Sequence, residues 1–362
     1  GGYAVDSETM YDNLMNRFKF GGMNNPGIYI DETIARMGYT HRRLYTMLAN
    51  QLIREGKEDK ALELLDRGLE VLPSPKIRYS DANTYPFIRM VDNPDRIVPP
   101  AMNIGIRLAK GEIIIRLDAH AIFPSDYFSE LTKNLIELDA DNVGGVCRTL
   151  PVDDSVKSRS IAAVLSSSFG MGNSYFRIGA DSVREVDTVP FGCFRKELFD
   201  RIGYFDEELI RNQDDEFNGR IIKNGGKIYL IPSVVIDYYA RDTVAKVYKM
   251  FYQYGLFKPL VNKKLGSPAT IRQFVPLCFT LGLILGPLTF LISPVFAWIY
   301  SVVIICYLGM AAYFSARSAA GFRQWLMQIW VYFVVHFAYG WGYINGMFNL
   351  ILKRSKVVNS NR

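Results

Sequence analysis

Two stretches carry side chains able to do chemistry. From Glu112 to His120 a short apolar, β-branched run, Ile113 to Ile115, leads to an acid, one residue and an imidazole: Asp118, Ala119 and His120. Such a pair can offer a carboxylate oxygen and a ring nitrogen to a divalent cation. The bland alternative is that Asp118 caps a turn and His120 packs beside Tyr127. The second stretch, Asn212 to Arg220, holds three consecutive carboxylates, Asp214, Asp215 and Glu216. Three adjacent charges repel one another and must face water, a cation or a substrate. Their bland role is the first turn of a helix, where acids favour the dipole.

The elements around these stretches have to position them. Ile113–Ile115, bounded by Gly111, reads as a strand buried on both faces of a parallel sheet. In open α/β sheets, ligands bind beyond the carboxyl ends of strands. Upstream, Phe87 to Val91 reads as a strand, and Pro99 and Pro100 suit the first turn of a helix. Ala101, Ile104 and Leu108 give that helix a buried stripe. The order is strand, helix, strand, one βαβ unit feeding Asp118. Downstream, residues 126–141 suggest an amphipathic helix and Val143–Cys147 a strand. Pro151 to Gly179 is rich in serine and glycine, with a helical part at Ile161–Leu165 and then a lid or a surface loop. Lys227 to Ile231 gives another strand, with Pro232 after it. Val244 to Phe257 reads as an amphipathic helix surrounded by Lys246, Lys249, Lys258, Lys263 and Lys264, which suits an anionic leaflet.

At 362 residues the chain has room for about two domains. Cys147, Cys193, Cys278 and Cys306 lack paired metal spacing and read as small buried hydrophobes rather than disulfides. The start Gly1-Gly2-Tyr3 suggests a fragment or a processed terminus, and residues 1–30 lack a signal-peptide pattern. Before Pro73, stripes of Leu44, Leu48, Leu52 and Ile53, then Ala61, Leu62, Leu65 and Leu69, flank Gly56. This is similar to a tetratricopeptide unit, and the segment 1–73 also resembles the soluble tail of a bacterial family of multi-spanning membrane proteins. Residues 276–316 hold almost no charge, and a span needs roughly twenty residues. Two spans with a tight turn near Ser293-Pro294 fit. Residues 324–352 could form a third span or a re-entrant element, but Arg317 and Arg323 before them and Lys353, Arg354 and Lys356 after them all favour the cytoplasm. Both ends of one span cannot be inside.

Arg96 to Pro99, Asn103 to Gly105, Lys110 to Glu112 and Leu117 to His120 resemble the family 2 glycosyltransferases, in the succinoglycan glucosyltransferase-like branch that builds exopolysaccharide. Val189 to Arg195, Tyr204 to Glu207 and Asn212 to Arg220 match the same family. The resemblance implies an α/β GT-A nucleotide-diphospho-sugar transferase fold over 76–268, preceded by the helical 1–73 segment and followed by a transmembrane region at 275–352. It implies a membrane-anchored inverting transferase with a UDP-sugar donor, a polyprenyl-linked saccharide acceptor and a divalent metal, Mn2+ or Mg2+. Asp118 and His120 would be metal ligands, Asn103 and Asp118 would face the donor, and Asp214 would be the catalytic base with Asp215 as runner-up. Gly192, Arg195, Gln213, Arg220 and Gln253 would line the substrate. Nucleic acid is not an expected partner. The expected location is the inner membrane, with the catalytic domain on the cytoplasmic side. Two departures stand out. Gln253-Tyr254-Gly255 lacks the Arg-Trp of processive synthases. The family's opening strands, which hold the nucleotide base, have no counterpart before Phe87, so the fold is expected to be truncated and donor binding weak. The alternative is a catalytically impaired fusion or pseudoenzyme acting as a membrane-bound interaction protein.

Overall fold

The computed structural model describes residues 6–25, 27, 29–30, 32–72, 93, 97–118, 121–268 and 270–352. They fall into two compact units, Gly1–Asp92 and Asn93–Arg362. The expected strand Phe87–Val91 and the ligand candidate His120 lie outside the described residues.

The first unit is helical: α1 (Ser7–Asp12) runs into a π turn, and α2 (Glu32–Arg54) and α3 (Glu58–Val71) pack as a hairpin. Its core gathers Leu14, Tyr45, Leu48, Leu52 and Leu64. The stripe on α3 is rotated from the expected one. Ala61, Leu64, Gly68 and Val71 are buried while Leu69 is exposed, and Leu14 of the π turn joins the same core. Arg42 is fully buried and donates to the Leu72 carbonyl at the end of α3.

The second unit opens with α4 (Val98–Leu108), whose prolines sit in the first turn where a missing N–H costs nothing. Then follow β1 (Ile113–Ile115), β2 (Ala121–Ile122), α5 (Tyr127–Glu137), β3 (Asn142–Leu150), α6 (Val156–Leu165), α7 (Ser168–Met171), α8 (Tyr175–Ile178), β4 (Arg184–Glu185), β5 (Cys193–Arg195), α9 (Glu197–Ile202), α10 (Gln213–Lys223) and β6 (Ile228–Tyr239). The described sheet runs β1-β5-β3-β6-β2, with β4 sharing the outer edge of β6. Its spine is the parallel pair β3 and β6. Two expectations are corrected. β1 is half-buried and pairs antiparallel with β5, since its neighbour is this short returning strand. β6 does not stop at Pro232: the register steps from Gly145–Ile231 to Val146–Val235, and that bulge absorbs a residue with no N–H to give. Tyr127, Leu131 and Leu135 of α5 cover one side of the sheet. Phe194, Phe199, Phe205 and Phe217 stack on the other.

Behind the sheet lies α11 (Val244–Leu265), with Pro259 in its interior. The apolar stretch forms α12 (Phe274–Leu285), α13 (Thr289–Ile292) and α14 (Pro294–Ala316), and then α15 (Phe322–Ile351) follows. Two segments, Ile271–Ile292 and Pro294–Ala316, are long and apolar enough to cross a membrane, and their surfaces are mostly unburied. Ser293 turns the hairpin and accepts from the Val295 N–H. All four cysteines are free; Cys147 and Cys193 are buried as expected, whereas Cys278 and Cys306 lie exposed on the hairpin. An apolar hairpin has no interior to hide them in.

α11 and α15 touch backbone to backbone. A Cβ at Gly342 would strike the Tyr252 carbonyl, one at Gly346 the Leu256 carbonyl, and one at Gly255 the Tyr339 carbonyl. Small residues on both helices thus set the spacing. Gly342→Val is expected to force them apart and cost about 1–3 kcal/mol, read as a lowered apparent Tm in detergent. An unchanged Tm would show that the seam is not close-packed.

Candidate active site

The site grows from the end of β1. Leaving the strand, the Arg116 N–H donates to the Gly192 carbonyl at 3.1 Å, which extends the grip of β5 by one residue. Alternation along extended chain then puts Arg116 and Asp118 on one side. The Arg116 side chain is only 8% exposed. Its Nε donates to Asp118 Oδ1 at 2.9 Å and its Nη2 to Oδ2 at 3.1 Å. Its Nη1 donates to Asp214 Oδ1 at 2.6 Å. One planar guanidinium thus joins the strand's acid to the helix's acid, the fork geometry that only arginine offers.

Asp214 arrives on α10. Asn212 adopts a left-handed conformation, φ 60° and ψ 21°, just before the helix, which a short amide side chain tolerates. Its Nδ2 donates to the Tyr254 carbonyl of α11 at 2.8 Å. Successive helical side chains then fan out by about 100°. Asp214 meets Arg116, Asp215 meets Lys258 Nζ of α11 at 2.5 Å, and Glu216 meets Arg220 Nε at 2.6 Å. Three cations on three sides relieve the repulsion of the three acids.

Burial raises the pKa of Asp214; Arg116 opposes that shift, and Asp215 and Asp118 reinforce it. The net position is above the ordinary aspartate value although 39% of the side chain reaches solvent. Burial works against the charge on Arg116, but Asp214 and Asp118 outweigh it and hold its pKa above the usual range. Beside them Asp187 is raised by burial and pulled down by Arg272, whose Nη2 lies 2.7 Å from its Oδ2.

The structure brings Asp118, Asp214 and Asp215 together and assigns other duties to several expected site residues. Asn103 is buried; its amide donates to the Phe205 carbonyl at 2.9 Å and to Glu207, and accepts from the Phe205 N–H at 3.0 Å. Its polar atoms are spent on the loop before α10, so none is left for a donor. Arg195 faces Ile113, the end of β1 remote from Asp118, and reaches the Leu135 and Ala140 carbonyls and Asp139. Arg220 clamps Glu216 and donates to the carbonyls of Ile202 and Tyr204 at 2.6 and 2.7 Å. At Gly192 a side chain would meet Asn142 and the Phe194 ring, so its smallness serves packing. Gln213 is buried at the first position of α10. Gln253 accepts from Arg211 Nε at 3.1 Å.

Arg116, Lys258, Asp187 and Arg272 escape a sequence reading. A charge inside an apolar run was the available signal for Arg116. Nothing local marks Lys258, which lies 43 residues from its partner. Among the described residues, no group of three His, Cys, Asp or Glu side chains could hold a metal. Asp118 alone still offers hard carboxylate oxygen, the donor chemistry that suits a Mg2+ or Mn2+ ion completed by phosphate and water.

The mixed α/β sheet thus carries one acid just after β1 and a second on the facing helix α10. Residues 73–203 match the family described as Glycosyl transferase family 2, and the chain carries a domain of that family. Succinoglycan biosynthesis protein ExoA of Rhizobium meliloti (strain 1021) is 29% identical over 194 residues, 53% of this chain and 58% of that protein. A Methanococcus voltae protein named dolichyl N-acetyl-alpha-D-glucosaminyl phosphate 3-beta-D-2,3-diacetamido-2,3-dideoxy-beta-D-glucuronosyltransferase is 29% identical over 202 residues, 55% of this chain and 61% of that one. The chain therefore spans about three fifths of the length of these relatives. Among solved structures, S. aureus TarS 1-349 in complex with UDP aligns with a TM-score of 0.30 and 13% identity over 68% of this chain and 70% of that one.

The three acids make separable predictions. Arg220→Ala leaves Glu216 buried without its cation and is expected to cost about 3–5 kcal/mol. Chemical denaturation of the detergent-solubilised protein measures it, and a loss under 1 kcal/mol would contradict the clamp.

Proposed function

We propose that this chain is a membrane-anchored inverting glycosyltransferase that moves a sugar from a nucleotide-diphosphate donor, a UDP-sugar, to a polyprenyl-linked saccharide during surface-polysaccharide synthesis. The observation that carries the reading is the shared guanidinium of Arg116, which ties Asp118, inside the family 2 match at 73–203, to Asp214 just beyond it. The names of the two relatives support polysaccharide synthesis and a lipid-linked acceptor. Lys258 precedes the first apolar segment and Arg272 lies at its very start, where the phosphate of such an acceptor would arrive.

In this reading the donor lies with its diphosphate toward Asp118. A divalent ion, Mn2+ or Mg2+, would be held there by Asp118 together with His120, and would neutralise the charge of the leaving diphosphate. Asp214 accepts the proton of the acceptor hydroxyl as its oxygen attacks the anomeric carbon. The bond from acceptor oxygen to that carbon forms while the bond to the diphosphate oxygen breaks, and one in-line displacement inverts the configuration. A carboxylate whose pKa is raised toward the working pH is a better base than an ordinary one. Arg116 keeps Asp214 ionised and fixes its direction. In this reading the catalytic domain faces the cytoplasmic side of the inner membrane, which the lysines from Lys246 to Lys264 and Arg272 support by the positive-inside rule.

Asp214→Asn is expected to lower transfer by about 10²–10⁴-fold with donor affinity nearly unchanged, measured with labelled UDP-sugars and a lipid-linked acceptor. If Asp215→Asn abolishes transfer and Asp214→Asn does not, the base is misassigned. The pH profile gives a second check. The base works only when ionised, so activity is lost as pH falls through a pKa above the usual aspartate value. Arg116→Gln removes the group that lowers that pKa and should move the acid limb to higher pH; a shift to lower pH would contradict the arrangement.

A further inference from the structure

The hairpin of apolar helices stands on α15 in an unusual way. Only the half of each leg remote from the tip touches that helix. At the α12 foot, a Cβ on Gly340 would strike the Pro276 carbonyl and Thr280, and Phe279 meets Phe333. At the α14 foot, the Ala312 carbonyl accepts from Trp325 Nε1 at 2.9 Å. Ser318, just beyond α14, donates to Gln328 at 3.0 Å. Between the two feet, Tyr307 Oη lies 2.9 Å from His336 Nδ1. The tip of the hairpin, including Leu291 and Trp298, is exposed. α15 thus packs on the lower half of the hairpin and leaves its tip free.

Three further observations agree. α15 has 30 residues and so is about 45 Å long, half as long again as the roughly 30 Å hydrocarbon core. Cationic residues flank it at both ends, Arg317 and Arg323 before it and Lys353, Arg354 and Lys356 after it, which no single span reconciles with the positive-inside rule. One face packs on α6 and α11 through Val331, Tyr332, Val335 and Ala338, while the opposite face is apolar and open. Along that open face Phe322, Leu326, Trp330 and Phe348 are exposed. The rings of Trp330, Phe333, Phe337 and Trp341 stack in one continuous ladder, with centroids 5.6, 5.7 and 6.4 Å apart.

We propose that α15 lies in the plane of the bilayer surface, its aromatic ladder seated at the headgroup–acyl boundary while the transferase domain rides on its other face. The occupant of the open face is lipid, because the stripe is continuous with the feet of the apolar hairpin and tryptophan prefers that boundary. The inference rests on the reading of the hairpin as two spans.

Tryptophan depth in vesicles decides it. Three single-tryptophan chains, with the other tryptophans replaced by phenylalanine, are reconstituted in phosphatidylcholine brominated at shallow or deep acyl positions. One keeps Trp330, one keeps Trp341, and one carries Ile305→Trp in the middle of α14. Trp330 and Trp341 are expected to report the same shallow depth, and Ile305→Trp the bilayer centre. Along a spanning helix the two native residues would differ in depth by about 16 Å, and that result would overturn the in-plane placement. So would the absence of quenching at both, which would mean that protein covers the face. Failure of Ile305→Trp to reach the centre would instead overturn the two-span reading. If losing Trp325 and its hydrogen bond disturbs the fold, the difference in quenching between the unchanged protein and Trp330→Phe or Trp341→Phe gives the same two depths.

Discussion

A guanidinium buried to the extent of Arg116 keeps its charge and is costly to bury without close anionic partners; Arg116 has two, on different elements. Asp118 follows β1 and Asp214 opens α10, so the pairing fixes the helix against the strand end. The backbone of Arg116 is itself fixed by the Gly192 carbonyl. The trio carries one negative charge in excess, concentrated where the cleft opens. In the proposed reading that excess would suit a cation with a diphosphate on one side and a proton on the other.

The same helix that ends the cleft also packs against α15. α11 contributes Lys258 to Asp215 and the Tyr254 carbonyl to Asn212, and its glycine at position 255 lies in the seam with α15. The first turn of α10, α11, α15 and the feet of the apolar hairpin therefore form one chain of close contacts. In the proposed reading, pinning Asp214 in this way would fix its height above the lipid surface as well as its direction. A lipid-linked acceptor would gain from that, since its reacting hydroxyl stands at a set distance from its anchor.

Much of this was legible along the chain, for local reasons. An apolar β-branched run ending in an acid marks a strand end, and the run from 276 to 316 announces its hairpin by the near absence of charge. What was not legible depends on partners distant in sequence. Ile113–Ile115 reads as buried but says nothing of its neighbour, and β5 happens to return antiparallel. Pro232 reads as a stop unless the bulge opposite Gly145 and Val146 is known. Among the acids, Asp214, Asp215 and Glu216 differ only by a helical rotation, and their roles are settled by which cation the fold delivers to each. Asn103, Arg195 and Arg220 illustrate the reverse: residue types suited to ligands whose polar atoms the fold uses for itself.

Arg116 acts as a shared counterion, and a double-mutant cycle measures that sharing directly. Arg116→Gln, Asp214→Asn and the double variant are compared with the unchanged protein by reversible denaturation in detergent. The prediction is non-additivity: with asparagine at 214, substituting Arg116 should cost at least about 0.5 kcal/mol less than with aspartate there. Additive losses, within the roughly 0.3–0.5 kcal/mol expected of independent sites, would contradict the claim that one guanidinium holds the two carboxylates together.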